Sequence, residues 1–207
     1  MSIAYLHGVT FALETGKGSQ RREEILAVAR KRLIEEGYNH FVLREIAAQC
    51  EMTIGNLQYY FRTRELLLEA VTRTALFDDL KTIDAISQSA PQGKAQLREL
   101  ASAILRKWLG ENDKIYAVAS FLSRSEPAFR SLLSELYSQF FDHLIVVLKK
   151  LRPRLHRQTL LDKAQLITAV LDGAVIQLRN GAVPTTSGAR ARFVENVCAQ
   201  VVAIGSE

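Results

Sequence analysis

The sequence predicts an all-α protein of about nine helices, and three observations carry that prediction. Apolar residues recur at three- and four-residue spacing through nearly the whole 207-residue chain. No sustained alternation of apolar and polar residues bounded by hairpin turns interrupts them. Only four Pro and eleven Gly punctuate the chain, so long loops are scarce.

Met1–Gly18 reads as an extension ahead of the first firm helix. From Ser19, the residues Ile25, Leu26, Ala29, Leu33 and Ile34 form one stripe between Arg and Glu. Ser19 suits the N-cap, and Gly37 the C′ position that stops the helix. Two short segments follow, Leu43–Cys50 and Ile54–Phe61, joined by Glu51-Met52-Thr53. Thr63 suits the cap of a fourth helix, from near Arg64 to about Ile86, roughly 35 Å long. Ser87–Gly93 is a polar turn. Leu97, Leu100, Ala101, Ile104, Leu105 and Trp108 form the next stripe, closed by Gly110, and Ile115–Leu122 is a short apolar helix. Ser125 suits the cap of the helix after it, with Pro127 in the first turn, where a missing N–H costs nothing. That helix ends at Arg152-Pro153. A helix starting near Asp162, with Gln165 completing a capping box, ends at Asn180-Gly181. The last follows Ser187 and runs to about Ile204.

Composition excludes several classes. A chain 48% hydrophobic is too apolar for disorder. The 27 Lys and Arg against 22 Asp and Glu leave a net charge of +5, which permits a polyanionic partner without demanding one. Cys50 and Cys198 form no CxxC pair and are expected as reduced, buried thiols of a cytoplasmic protein. No apolar run of about 18 residues exists, so no membrane partner is expected. No Lys or Arg precedes Lys17, so the basic start of a signal peptide is missing.

Catalytic and metal motifs are nearly absent. Gly16-Lys17-Gly18-Ser19 glances at a phosphate-binding loop. It fails because Gly18, not Ser or Thr, follows the Lys, and Phe11 stands where the first Gly belongs. The four His show no metal-ligand spacing, and His143 is expected on a surface or satisfied in the core. No enzyme activity, metal or cofactor is expected.

Leu43–Phe61 is the informative stretch. Two helices of about eight residues around a tight turn meet the requirements of a helix-turn-helix, with Ala47 small where helices approach and Met52 and Leu57 inward. The outward face of the second helix shows Thr53, Gly55, Asn56, Gln58, Tyr59 and Tyr60. Asn and Gln match adenine bidentately, Gly admits the backbone to a base edge, and Tyr hydroxyls suit phosphates. Arg21, Arg22, Arg44, Arg62 and Arg64 flank the motif. Local charge helps little: Lys17–Leu66 holds nine Lys and Arg against seven Glu.

Over about Ser19–Ala70 the chain resembles the TetR family of transcriptional regulators. The resemblance rests on Ile25-Leu26, Ala29, Gly37-Tyr38, Ile46-Ala47, the run Gly55-Asn56-Leu57-Gln58-Tyr59-Tyr60-Phe61, and Arg64-Glu65-Leu66-Leu67. It implies a three-helix DNA-binding domain at 19–64, and a helical ligand-binding and dimerisation domain at 65–207. Thr53, Gly55, Asn56 and Gln58 would face bases, and Tyr59, Tyr60 and Arg64 would hold phosphates, with Arg44 beside them. Glu51 stands where the family commonly has Gly; it costs little if its backbone keeps φ < 0. Gln58 replaces the usual Tyr and Arg64 the usual Lys. Val42 replaces a Thr cap, so Asn39 is the candidate cap of the second helix.

The expected function is a ligand-responsive repressor that binds a pseudo-palindromic, double-stranded DNA operator as a homodimer and is released by a small-molecule effector, in the cytoplasm at the nucleoid. Trp108, Tyr116, Phe121, Phe140 and Phe141 are candidates for the ligand wall. The helix after Asp162 is apolar on more than one side, so Val170 and Gly173, with Phe193, Val197 and Val201 on the last helix, are candidates for the dimer seam. The competing reading is a helical small-molecule-binding or interaction protein that does not bind DNA.

Overall fold

A computed structural model describes residues 17–88, 92–110, 112–184 and 186–207. Among them are nine α-helices and one 3-10 turn, and no strand. The chain divides after Leu68 into two compact units.

The first unit holds α1 (Lys17–Glu36), a 3-10 turn (Tyr38–His40), α2 (Leu43–Gln49), α3 (Ile54–Tyr60) and the start of α4 (Arg64–Gln88). Ile25, Ala29 and Leu33 recur every four residues on α1 and are fully buried, as are Phe41, Ile46 and Leu57. Gly37 ends α1 with φ +84°, a left-handed conformation that Gly adopts without a Cβ penalty, and its N–H returns to Leu33 O at 3.2 Å. Buried Arg32 ties three pieces together. Its Nε donates to His40 O at 2.6 Å, and its guanidinium pairs with Glu36 at 2.9 Å and with Glu45.

The caps differ in part from expectation. Thr53 and Thr63 cap α3 and α4, accepting from the N–H of Asn56 and Leu66 at 3.2 Å each. α1 begins at Lys17, so Ser19 lies inside its first turn and is not the cap. Val42 stands at the N-cap of α2 with no side-chain bond, and Asn39 is taken up in the 3-10 turn. The extension expected at Met1–Gly18 lies outside the described residues up to position 16.

The second unit holds the rest of α4, then α5 (Lys94–Leu109), α6 (Asp113–Leu122), α7 (Pro127–Leu151), α8 (Arg157–Arg179) and α9 (Ser187–Ser206). α5 packs on α8 and α9, and α8 also packs on α7 and α9. Gly205 lets α9 close on its neighbours: a Cβ there would lie 2.5 Å from Leu97 Cδ1 and 3.1 Å from Leu148 Cδ2. α8 starts five residues before Asp162, because His156, extended at its N-cap, precedes a polar first turn that apolar spacing does not mark. Asp162 is therefore mid-helix, accepting from Gln158 Nε2 at 2.9 Å, and no capping box forms there. Ser125 likewise does not cap α7. Glu126 is the N-cap, and Ser125 Oγ donates back to Leu122 O at 3.4 Å. Both thiols are buried and unpaired with each other, and burial pushes each thiol pKa upward. His143 is satisfied by Asp84, Nδ1 to Oδ1 at 2.8 Å.

Candidate nucleic-acid interface and ligand cavity

In the first unit, the turn between α2 and α3 sets how the α3 face is presented. The N–H of Glu51 bonds Ala48 O at 3.1 Å, and that of Met52 bonds Ala47 O at 3.0 Å. This pair of bonds is a Schellman motif, whose C′ residue must be left-handed. Glu51 occupies it with φ +53°, so the expected φ < 0 does not hold, and the non-glycine residue costs about 1–2 kcal/mol. Arg21 braces the turn from α1, its Nη2 donating to Cys50 O at 2.5 Å. Arg22 sits 4.3 Å over the Phe61 ring and donates to Tyr60 O at 3.4 Å, fixing the far end of α3.

With both ends held and Leu57 fully buried, α3 turns one polar face outward. Thr53, Gly55, Asn56 and Gln58 are exposed, Tyr59 is 85% exposed, and Tyr60 is half-buried and edge-on to Tyr59 at 5.3 Å. A Cβ built on Gly55 meets nothing within 4 Å, so the fold itself does not require Gly there. Arg44 is exposed on α2. Arg64 is turned inward: its guanidinium stacks 3.8 Å from the Tyr38 ring and donates to Tyr38 O. A phosphate contact from Arg64 would therefore compete with a bond inside the unit.

The second unit holds a partly open cavity of about 310 Å³. Trp108, Tyr116 and Phe140 line it, joined by Tyr137, Asp172 and Arg179. Phe121 and Phe141 do not. Phe121 is 68% exposed because five residues of helix carry it well round from Tyr116, and Phe141 stacks on Tyr137 at 5.9 Å outside the lining. Behind the wall, fully buried Asp79 of α4 accepts from Trp108 Nε1 at 2.7 Å, Tyr116 OH at 2.8 Å and Asn112 Nδ2 at 2.8 Å, with Lys107 Nζ 3.6 Å away. Burial pushes the Asp79 pKa up, while Trp108, Tyr116 and Lys107 pull it back. Asp172 accepts from Tyr137 OH at 2.8 Å and is likewise pushed up by burial, and Arg179 pairs with Asp113. Asp79, Asp172 and Tyr137 are not among the residues that the sequence offers for the ligand wall. A lone carboxylate amid the apolar residues of α8 is the signal that marks Asp172.

Val197 and Val201 on α9 are buried in the chain's own core, Val201 at 0% exposure, where α9 packs on α5 and α8. They are closed to a partner in this structure. The outward stripe is instead on α8, where Leu166 and Ile176 are 57% and 52% exposed, with Val170 and Gly173 between them. Phe193 is half-buried on α9.

Among the described residues no group of three or more His, Cys, Asp or Glu is placed to hold a metal ion, and no helix is long and apolar enough to cross a membrane.

Comparison with known proteins locates these features. Residues 25–71 match the model of the bacterial regulatory proteins of the tetR family. An uncharacterized HTH-type transcriptional regulator in the dhlA 5′ region of Xanthobacter autotrophicus is 35% identical over 106 residues, 51% of this chain and 52% of that protein. The match thus spans about half the length of that relative. A Mesorhizobium loti chain described as a TetR-family transcriptional regulator superposes with a TM-score of 0.72 at 14% identity, covering 91% of this chain and 96% of its own. A Saccharomonospora viridis chain described as a transcriptional regulator, in complex with choline, gives 0.69 at 16% identity, covering 88% and 96%. These structures share the fold. Residues 25–71 thus match the helix-turn-helix domain of the bacterial tetR regulatory family, and the described helices share the fold of solved structures described as TetR-family regulators.

Proposed function

We propose that the chain is a dimeric, ligand-responsive repressor that binds a pseudo-palindromic operator and is released by a small molecule. One observation carries the DNA-binding reading. The outward face of α3 presents Thr53, Gly55, Asn56, Gln58 and Tyr59 uncovered, on a helix braced from both ends. Asn56 and Gln58 read bases, and Tyr59 and Tyr60 hold phosphates, with Arg44 supplying charge. Arg64 adds a phosphate contact if it exchanges its bond to Tyr38.

The outward apolar stripe of α8 supports a homodimer, since exposed contiguous apolar surface marks association. A two-fold axis through Val170 and Gly173, with Phe193 at its edge, uses the same surface on both subunits. Two copies of α3 then read half-sites about one DNA turn apart. The cavity supports an effector, as does the choline complex of the S. viridis relative. α4 runs from the first unit into the second, and Asp79 on it bonds two rings of the cavity wall. A ligand that displaces Trp108 or Tyr116 therefore acts on α4 directly. Release follows if the ligand favours the state with the wrong helix spacing. The protein works in the cytoplasm at the nucleoid, and its role is binding rather than catalysis.

Substituting each base of a bound promoter fragment tests the assignment. Gln58→Ala should relax preference at one base position per half-site, costing about 1–3 kcal/mol there. An unchanged profile removes Gln58 from base reading.

A further inference from the structure

The cavity wall is asymmetric in its chemistry. Trp108 and Tyr116 spend their polar hydrogens on Asp79, behind the wall, so toward the cavity they offer ring surface. Phe140 adds a third ring 5.4 Å from Trp108. Asp172 is the carboxylate in the lining. One of its oxygens, Oδ2, takes the Tyr137 hydroxyl, and its Oδ1 takes no hydrogen bond from the described residues. The lining's cation, Arg179, is held by Asp113, in a salt bridge and by a 3.3 Å bond to the Asp113 carbonyl. A guest thus meets one carboxylate without a cationic partner and three aromatic rings in a partly open pocket.

We infer that the effector cavity takes an organic cation, its positive centre set between the Asp172 carboxylate and the faces of Trp108, Tyr116 and Phe140. Both groups attract positive charge, the carboxylate by Coulomb force and the rings by their quadrupoles. The cavity of about 310 Å³ lies at the small end of organic-ligand sites, so a compact ammonium ion with one apolar arm suits it. This names the ligand class of the effector site and rests on that reading.

Trp108 is the chain's single tryptophan, so its fluorescence reports the site. The full-length protein is titrated with phenyltrimethylammonium, with its neutral isostere tert-butylbenzene, and with phenylacetate. The cation should bind saturably and at least about tenfold more tightly than the neutral isostere, with the anion weakest. Asp172→Asn should remove most of that preference, the affinity for the cation falling toward that for tert-butylbenzene in the same variant. Equal affinity for cation and isostere, or preference for the anion, overturns the cation assignment and leaves a ligand site standing. No saturable change with any of the three overturns both. The comparison in the unsubstituted protein decides the matter even where the Asn variant folds poorly.

Discussion

Asp79→Ala should destabilise the second unit by about 3–5 kcal/mol, the range for removing one partner from a buried charged network. The carboxylate is fully buried and gathers bonds from Trp108, Tyr116 and Asn112 within 2.8 Å. The substitution takes the acceptor from a buried indole N–H and strips these bonds from the other two. It also removes the carboxylate beside the half-buried Lys107 ammonium. Asp79→Asn keeps an acceptor oxygen and should cost less. Chemical unfolding followed by Trp108 emission measures both, and emission of the native Ala variant should shift as the indole loses its partner. A loss below about 1 kcal/mol would mean that the network is incidental to the fold.

Gly55→Ala should move two measurements in opposite directions. Gly inside a helix costs roughly 0.5–1 kcal/mol relative to Ala, and a Cβ at this position meets nothing within 4 Å. The first unit should therefore melt later in the variant. DNA binding should weaken, because the added methyl stands on the face that approaches the groove, where loss of a base contact costs about 1–3 kcal/mol. A purely structural role for α3 predicts the stability gain with no loss of binding. Thermal unfolding and operator affinity, measured on one preparation, separate the two.

How much of this was legible in the sequence differs between the units. The first unit was readable because tight constraints act over short spans. A small residue, Ala47, stands where helices meet, Thr53 and Thr63 cap, and Gly37 stops a helix. Each leaves a residue-level trace. Its misreadings were local. Asn39 satisfies a 3-10 turn instead of a cap, and the Schellman bonds hold Glu51 in a left-handed conformation that composition does not reveal.

The second unit is built from apolar helices, and apolar spacing tells which side of a helix is buried without telling what it is buried against. Trp108 and Phe140 were thus placed in the cavity wall together with Phe121 and Phe141, which helical phase carries elsewhere. For the same reason apolar spacing offers Val197 and Val201 as a seam between subunits, whereas they are buried within the same chain, whose α5 and α8 pack on α9. Asp79 is hard to single out because α4 also carries Glu65, Glu69, Asp78 and Asp84, and only its partners, distant in sequence, mark it as the buried one; Asp172 leaves a trace, as the one charge between Lys163 and Arg179 of α8.

The claim that bears the rest is that the exposed α3 face binds double-stranded DNA. It is tested most directly by titrating the full chain against a palindromic fragment of its neighbouring promoter across a range of salt concentrations. Each neutralised phosphate contributes a slope of about −0.9 to log K against log salt, so Arg44 of two subunits should give a slope of about −1.8, and Arg64 joining it about −3.6. The account predicts tight binding at low salt that falls off within that range. No shift at the lowest salt, where phosphate contacts are strongest, would contradict it.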